Sequence, residues 1–381
     1  MGTTAESWGG RAALMVAHCA GMVDLVALPV WVGVLISGYG LDPQQAGGLA
    51  TLFLIGAVAA SAIVAPRSGR MPARAVAAGS FAVAACAFGA VALVDAFPLM
   101  AVLHLCAGLA TGTALSLTHA AIGCSHNPHR LFAIVGFALG VFGVAFMGGV
   151  PNIVAAVGAS ALFWTFAGVM AVAACTAAAG FPANRTAGVA APGVIGKLPR
   201  AVWLAAMGVS CMAMTQAMMF AFVERIGADR GYGAAAVGGL LIALGFVNLI
   251  PAPLAALLQR RINARAVLVC GPILQAILAL LLTQSETFLP YAAGALFFAA
   301  VMIFTHTFAF GLLAALDPSG RAVGATPAMV MLGAAVGPLL GGTLVKLAGY
   351  PSLGVAAVLI ASCAVACFLP RRTGKVVLSH S

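Results

Sequence analysis

The chain has 381 residues, of which 63% are hydrophobic and 7% charged, and its mean hydropathy is +1.12. A water-exposed surface carries roughly a quarter of charged residues, so this composition excludes a soluble globular fold. The formal charge of +10 does not point to nucleic acid, because the basic residues fall in short clusters between apolar runs and form no patch or stripe.

A helix needs about 20 apolar residues to cross the hydrocarbon core. Runs of that kind predict twelve spans, at 12–38, 45–65, 74–94, 98–123, 131–154, 157–180, 201–226, 235–258, 266–284, 288–315, 322–346 and 352–369. Short alternating segments of barrel type are absent. The first fifteen residues lack a basic start followed by a short apolar core and a cleavage site, so the first span is expected as an uncleaved helix. The fifth and sixth spans are separated only by Pro151, Asn152 and Gly158, and Asn248, Pro251 and Pro253 predict a bend in the eighth. The segment 181–200, rich in Pro, Gly and Ala, is expected as a linker between an N-terminal bundle (1–180) and a C-terminal bundle (201–370), with a tail at 371–381. The nine cysteines have no metal-site spacing and an odd count, and are expected as small buried apolar residues.

Loop charges orient the chain. With the N-terminus inside, the cytoplasmic set is Arg11, Arg67, Arg70, Arg74, Arg130, Arg185, Lys197, Arg200, Arg260, Arg261, Arg265, Arg321, Arg371, Arg372 and Lys375. The opposite side keeps Arg225, Arg230 and Lys346, which is 15 against 3 of the 18 basic residues. Both termini are therefore expected in the cytoplasm of a bacterial-type inner membrane. The halves also repeat. Gly47-Gly48-Leu49 matches Gly238-Gly239-Leu240 and Ala73-Arg74-Ala75-Val76 matches Ala264-Arg265-Ala266-Val267, both at an offset of 191. Gly38-Tyr39-Gly40 matches Gly231-Tyr232-Gly233 at 193. A six-plus-six parallel repeat is the plan of carriers whose two halves rock about a midplane site.

With these features the chain resembles the major facilitator superfamily over nearly its whole length. The loop Arg67-Ser68-Gly69-Arg70-Met71-Pro72-Ala73-Arg74 is similar to that family's cytoplasmic gate loop, so Arg67, Gly69, Arg70 and Arg74 are its candidate gate residues. The Asp that family members usually carry there is missing between Ile63 and Val76. Gly333, Gly337, Pro338, Gly341 and Gly342 resemble the family's GxxxGPxxGG helix signature, whose small residues allow close helix packing. A weaker counterpart, Gly140-Val141-Phe142-Gly143 with Gly148-Gly149, stands in the fifth span, where drug/proton antiporters of the family have the intact motif. The resemblance implies an all-α membrane protein of twelve helices in two pseudo-symmetric six-helix bundles.

Asp24 is the sharpest single signal, lying near the middle of the first span with Ala20, Gly21, Ala27, Leu28 and Trp31 on its face. An ionisable group at that depth normally faces a cavity or a partner, and in the resemblance the first span lines the central cavity. His306, beside Thr305 and Thr307, lies mid-span in the tenth helix, another cavity liner in that family. His18, His104 and His119 are the other intramembrane histidines, and a direct His18–Asp24 pair is not expected, because six residues place them about 120° apart. Met207, Met212, Met214, Met218 and Met219 crowd the seventh span with Phe220, Phe222 and Gln216, which makes either an adaptable apolar wall for a ligand or a lipid-facing or core-packing surface. Glu224, Arg225, Asp229 and Arg230 close that span, as a gate or as solvated loop charges, and His126 to Arg130 make only a weak metal-like loop.

The function expected from this pattern is alternating-access transport of a small, partly hydrophobic organic solute, with protons as partner and no cofactor, enzymatic step or nucleic acid. Asp24, His306, Gln216, Trp31, Met212 and Met219 are the candidate solute or proton pathway. No GxxxxGK[ST] loop is present, so energy would come from an ion gradient. The competing readings are an uncoupled facilitator, a drug efflux carrier, a non-transporting sensor and a membrane-embedded enzyme. The protein is expected as a monomer in the bilayer.

Overall fold

In a computed structural model, residues 4–182, 198–259, 261–317 and 326–369 are described, with the backbone alone for 129, 256, 314, 326 and 327. The tail at 371–381, most of the linker, and Arg185, Lys197, Arg260, Arg321, Arg371, Arg372 and Lys375 lie outside the described residues. Among the described residues, twelve helical stretches are long and apolar enough to cross a membrane. Helices dominate because a backbone in hydrocarbon must satisfy its own N–H and C=O groups.

The first span consists of α1 (Trp8–Gly21) and α2 (Val23–Ser37). It is followed by α3 (Pro43–Val64), a 3₁₀ turn (Ala65–Arg70), α4 (Ala73–Val91), α5 (Phe97–Gly123), α6 (Pro128–Val157) and α7 (Ser160–Gly180). The second half comprises α8 (Arg200–Asp229), α9 (Ala234–Val247), α10 (Pro251–Leu258), α11 (Ala264–Gln284) and α12 (Phe288–Leu316), then α13 (Thr326–Ala348) and α14 (Pro351–Phe368). The bend expected in the eighth span is the gap between α9 and α10. The fifth span is longer than the sequence suggested: Pro151 sits inside α6, and the turn comes at Gly158, whose φ of 111° suits glycine. The first span begins at Trp8, four residues before the expected start.

Local chemistry sets several ends. The Asp42 carboxylate accepts from Gln45 N–H at 2.9 Å while the Gln45 side chain accepts from Asp42 N–H at 3.2 Å, a capping box ahead of Pro43. Gly40 and Gly233 hold φ of 64° and 86° just before the second and eighth spans, which explains why the Gly-Tyr-Gly motif occurs twice. The Arg67–Arg74 segment is more ordered than a plain loop. Arg67 donates to Ile63 O, and Arg74 Nε donates to Phe181 O at 2.9 Å, tying the segment to the end of α7.

The halves have different interiors. In the first, Trp31 is fully buried, with the edges of Phe53, Phe88 and Phe166 at ring-centroid distances of 5.2, 5.8 and 4.9 Å and His104 stacked at 5.6 Å. In the second, Met212 packs in a cluster with Leu268, Met302 and Phe368, while Met218 and Met219 are wholly buried. The cysteines correct the sequence reading. None of the nine forms a disulfide, none is buried, and six are exposed. A small apolar side chain is as much at home against lipid as in a core, so burial did not follow from its chemistry.

Candidate functional site

The first span breaks midway. α1 ends at Gly21, α2 starts at Val23, and the Met22 N–H turns back to the carbonyls of His18 and Ala20. Asp24 is the feature of the sequence that favours this, because its carboxylate competes for nearby N–H groups; Pro29, which cannot donate to Leu25, lies inside α2, which continues through it. Asp24 falls in the first turn of α2, and its carboxylate takes the backbone N–H groups of Asp24 and Leu25. It is half-buried at the middle of the bundle.

The break brings a second pair into view. His18, in the last turn of α1, lies with its Nδ1 3.3 Å from Nε2 of His119 on α5, and the rings are 5.3 Å apart at 42°. His18 is 6% exposed, so the pair is interior. Each histidine was visible in the sequence, but nothing local links residues 101 apart. His104 is elsewhere, buried under Trp31 with Nδ1 at 2.7 Å from Met100 O.

Among the described residues of the second half, three buried side-chain polar atoms have no hydrogen-bond partner: Gln216 Oε1 on α8, Asn248 Oδ1 at the break between α9 and α10, and His306 Nδ1 on α12. These elements pack against one another, and all three residues lie near mid-span, at the depth of Asp24. Buried polar atoms are paired in the great majority of cases; Trp31 Nε1, Tyr39 OH, His104 Nε2 and Thr111 Oγ1 of the first half are further exceptions, and the three of the second half are set apart by their common depth. Met212 and Met219 stand behind this surface in the core, 2% and 0% exposed, and Trp31 belongs to the aromatic interior of the other half.

The halves meet at the end that carries Asp42 and Lys346. Lys346 Nζ lies 2.9 Å from Asp42 Oδ2 and 3.4 Å from Gln44 Oε1 across the two halves. Lys346 beside it holds the Asp42 carboxyl below the usual aspartate range. Glu224 packs its carboxylate onto Gly33 of α2, and Arg225 pairs with Asp229 at 2.6 Å while Tyr350 donates to Asp229. Burial first, then the Asp229 carboxylate, raise the Tyr350 phenol above its ordinary value. This replaces the picture of four solvated loop charges. They sit on or just beyond the last turns of α8 and are tied into the contact between helices, because that end of the bundle is shut.

The glycine signature of α13 serves both kinds of contact. A Cβ on Gly333 would strike Ser210 O, and one on Gly337 would come 2.7 Å from Met214 O, so these glycines seat α13 on α8 within its own half. Gly342 instead meets Pro43 O, and Pro338 O meets Gly47, both across the halves on α3. A Cβ on Gly341 would come 3.0 Å from Met218 and from Phe222. At the other end of the bundle, a shallow cleft of about 550 Å³, apolar apart from Arg130, lies between Met15 of α1 and Arg130, Ala133, Ile134, Phe137 and Val141 of α6. A Cβ on Gly69, in the Arg67–Arg74 segment, would meet nothing within 4 Å. Among the described residues, no three His, Cys, Asp or Glu side chains converge as metal ligands.

The fold is shared with solved transporters. A point mutant of the nucleoside transporter NupG superposes with a TM-score of 0.74 at 14% identity, covering 94% of this chain and 98% of that one. Unmutated NupG gives 0.71 at 14% identity over 94% and 96%. A bacterial homolog of the human lysosomal transporter Spinster, in an inward-facing and unoccupied conformation, gives 0.68 at 13% identity over 95% of each chain. Among curated protein sequences, none matches this chain. The family model of the Major Facilitator Superfamily matches residues 13–316, most of the chain's length, and with its twelve spans in two six-helix bundles the chain belongs to that family of membrane transporters.

Proposed function

We propose that the protein moves a small, partly hydrophobic organic solute across a bacterial inner membrane by alternating access, driven by protons that bind Asp24. The observation that carries this reading is the Asp24 carboxylate at the break of the first span, midway through the bundle. A charged group at that depth costs about 3 kcal/mol or more on an intact helix in lipid. An interrupted helix with its N-terminus turned to the carboxylate is how such carriers build midplane ion and solute sites.

In this reading the solute lies between Asp24 on one half and Gln216, Asn248 and His306 on the other. The orphaned carboxamide oxygens accept hydrogen bonds from the solute, and His306 orients it. Met212, Met219 and Trp31 keep the surrounding helices in register from behind. Loop charges place the Arg67–Arg74 end in the cytoplasm, with both termini. The shut Asp42–Lys346 end is then the outer one, and the cleft by Arg130 opens inward. Arg67, Gly69, Arg70 and Arg74 form the gate loop that must close when the halves rock. The protein works as a monomer, with 1–180 and 201–370 as the moving bodies and 181–200 as their linker.

A thermal-shift screen of metabolites and drugs on purified protein would identify a solute, whose uptake into liposomes is then followed under an imposed pH gradient. Asp24→Asn is expected to abolish gradient-driven accumulation while solute exchange at equal pH persists. Full retention of coupling in that variant would sink the assignment. Gradient-independent uptake by the unaltered protein would make it a facilitator.

A further inference from the structure

We propose that His18 and His119 form a proton relay between Asp24 and the cleft at the Arg130 end of the bundle. The relay rests on the reading of Asp24 as the proton-binding group.

A contact of 3.3 Å between His119 Nε2 and His18 Nδ1 requires one ring to donate its N–H and the other to accept. The neutral pair therefore holds one proton in the shared bond and one on an outer nitrogen, leaving the other outer nitrogen, His18 Nε2 or His119 Nδ1, with a free lone pair. A proton arriving at that lone pair makes an imidazolium. The bridging proton then changes owner, and the far outer N–H leaves to water. One proton enters, one departs, and the pair is neutral again with its hydrogen bond reversed. A second added proton is excluded, because it would set two like charges side by side.

The break at Met22 supplies the electrostatics. His18 stands at the C-terminal end of α1, where helix carbonyls favour a cation, and Asp24 stands at the N-terminal end of α2, where free N–H groups favour an anion. One interruption thus gives each group the pole that suits its charged form. Six residues of chain separate them, with the break at Met22 between. On the other side, Met15 lies three residues before His18, on the same face of α1, and lines the cleft with Arg130 and Phe137. Phe132 of α6 sets its edge on the His119 ring at 5.7 Å. The pair therefore stands between the carboxylate and the opening.

The charged and titratable groups carried by the elements around the pair are few. Among the described side chains they are Arg11 and Cys19 on α1, Asp24 on α2, Arg67 and Arg70 on the 3₁₀ turn, Arg74 and Cys86 on α4, His104 and Cys106 on α5, Arg130 on α6 and Cys175 on α7, with Glu6 and His126 in the segments that lead into α1 and α6. Asp24 is the only acid that these helices carry within the bundle, because Glu6 stands before α1 with its carboxylate accepting from His126 N–H, so a proton that passes the pair into the interior has one carboxylate to go to.

The test uses the full chain in lipid nanodiscs and protons as the probe. A light-triggered pH jump is followed by the carboxylic C=O infrared band, assigned to Asp24 by its loss in Asp24→Asn. Replacing either histidine, in His18→Gln or His119→Gln, is expected to slow the band's response about a hundredfold, the lower range for a positioned acid–base group. A band lost in Asp24→Asn but keeping wild-type kinetics in both histidine variants overturns the relay alone. A band that persists in Asp24→Asn overturns the reading of Asp24 and the relay's endpoint with it. Should a variant not fold, solid-state NMR of ¹⁵N-histidine in the wild-type protein decides: a coupling across the His18–His119 N–H···N bond is expected, and two independently titrating rings would overturn the pair.

Discussion

The first and seventh spans hold equivalent places in the two halves, yet one is broken and the other is a continuous helix of 30 residues. The first carries Asp24 and Pro29 in its middle, where each removes or competes for a helical hydrogen bond. The seventh is built there of Ala, Met and Gln, which lose little freedom in a helix, and stays intact. The second half places its interruption one span later, at Asn248 to Ile250. The duplication thus preserved architecture and let chemistry diverge. The first half holds a carboxylate and an interior histidine pair beside a helix break, and the second carries neutral acceptors backed by buried methionines.

The largest expected effect breaks the comparison at its sharpest point. Asp24→Asn should remove pH-gradient-driven accumulation altogether in the liposome assay, whereas Gln216→Ala should weaken solute affinity and leave the gradient able to drive what still binds. Equal loss of coupling in both would mean that the two halves share the proton site.

The contrast of interiors comes next. Trp31→Ala empties an aromatic site packed on four rings and should cost about 3–5 kcal/mol, read as the unfolding midpoint of the purified protein in detergent. Met219→Leu conserves volume in a flexible environment and should cost less than about 1.5 kcal/mol. Similar losses for both would show that the methionine core is as tightly specified as the aromatic one.

A third test separates the two duties of the α13 glycines. Gly333→Ala forces α13 away from Ser210 within one half and should lower thermal stability by about 1–3 kcal/mol. Gly342→Ala collides instead with Pro43 across the halves. It should shift the population toward the state open at the Asp42 end, seen as a longer spin-label distance there. If Gly342→Ala leaves that distance unchanged, the contact is not part of the moving interface.

The smallest effect is the ion pair at the shut end. The partly exposed pair contributes below about 1 kcal/mol. The Asp42 carboxyl is held low by Lys346, so its contribution is fully present above the ordinary aspartate range and is lost as pH falls through the lowered value. Acidification into that range, or Lys346→Ala at neutral pH, should lengthen the same spin-label distance slightly. A change confined to alkaline pH would assign the effect to another group.

Much of this protein was legible in its residues because lipid imposes strong and simple rules. Twelve apolar runs, the twice-occurring Gly-Tyr-Gly turn and the α13 glycines each follow from local chemistry, and the bend at Pro251 does too. Asp24 stood out because an acid in hydrocarbon is rare. Tertiary structure alone decided the rest. It brought His18 to His119, set Glu224 against Gly33, turned the cysteines and Met207 outward and sent Trp31, Met212, Met218 and Met219 into the interiors. Those outcomes depend on which faces of helices far apart in the chain meet. In a membrane both the inside and the outside of the bundle are apolar, so hydrophobic pattern identifies the helices without telling which way they point.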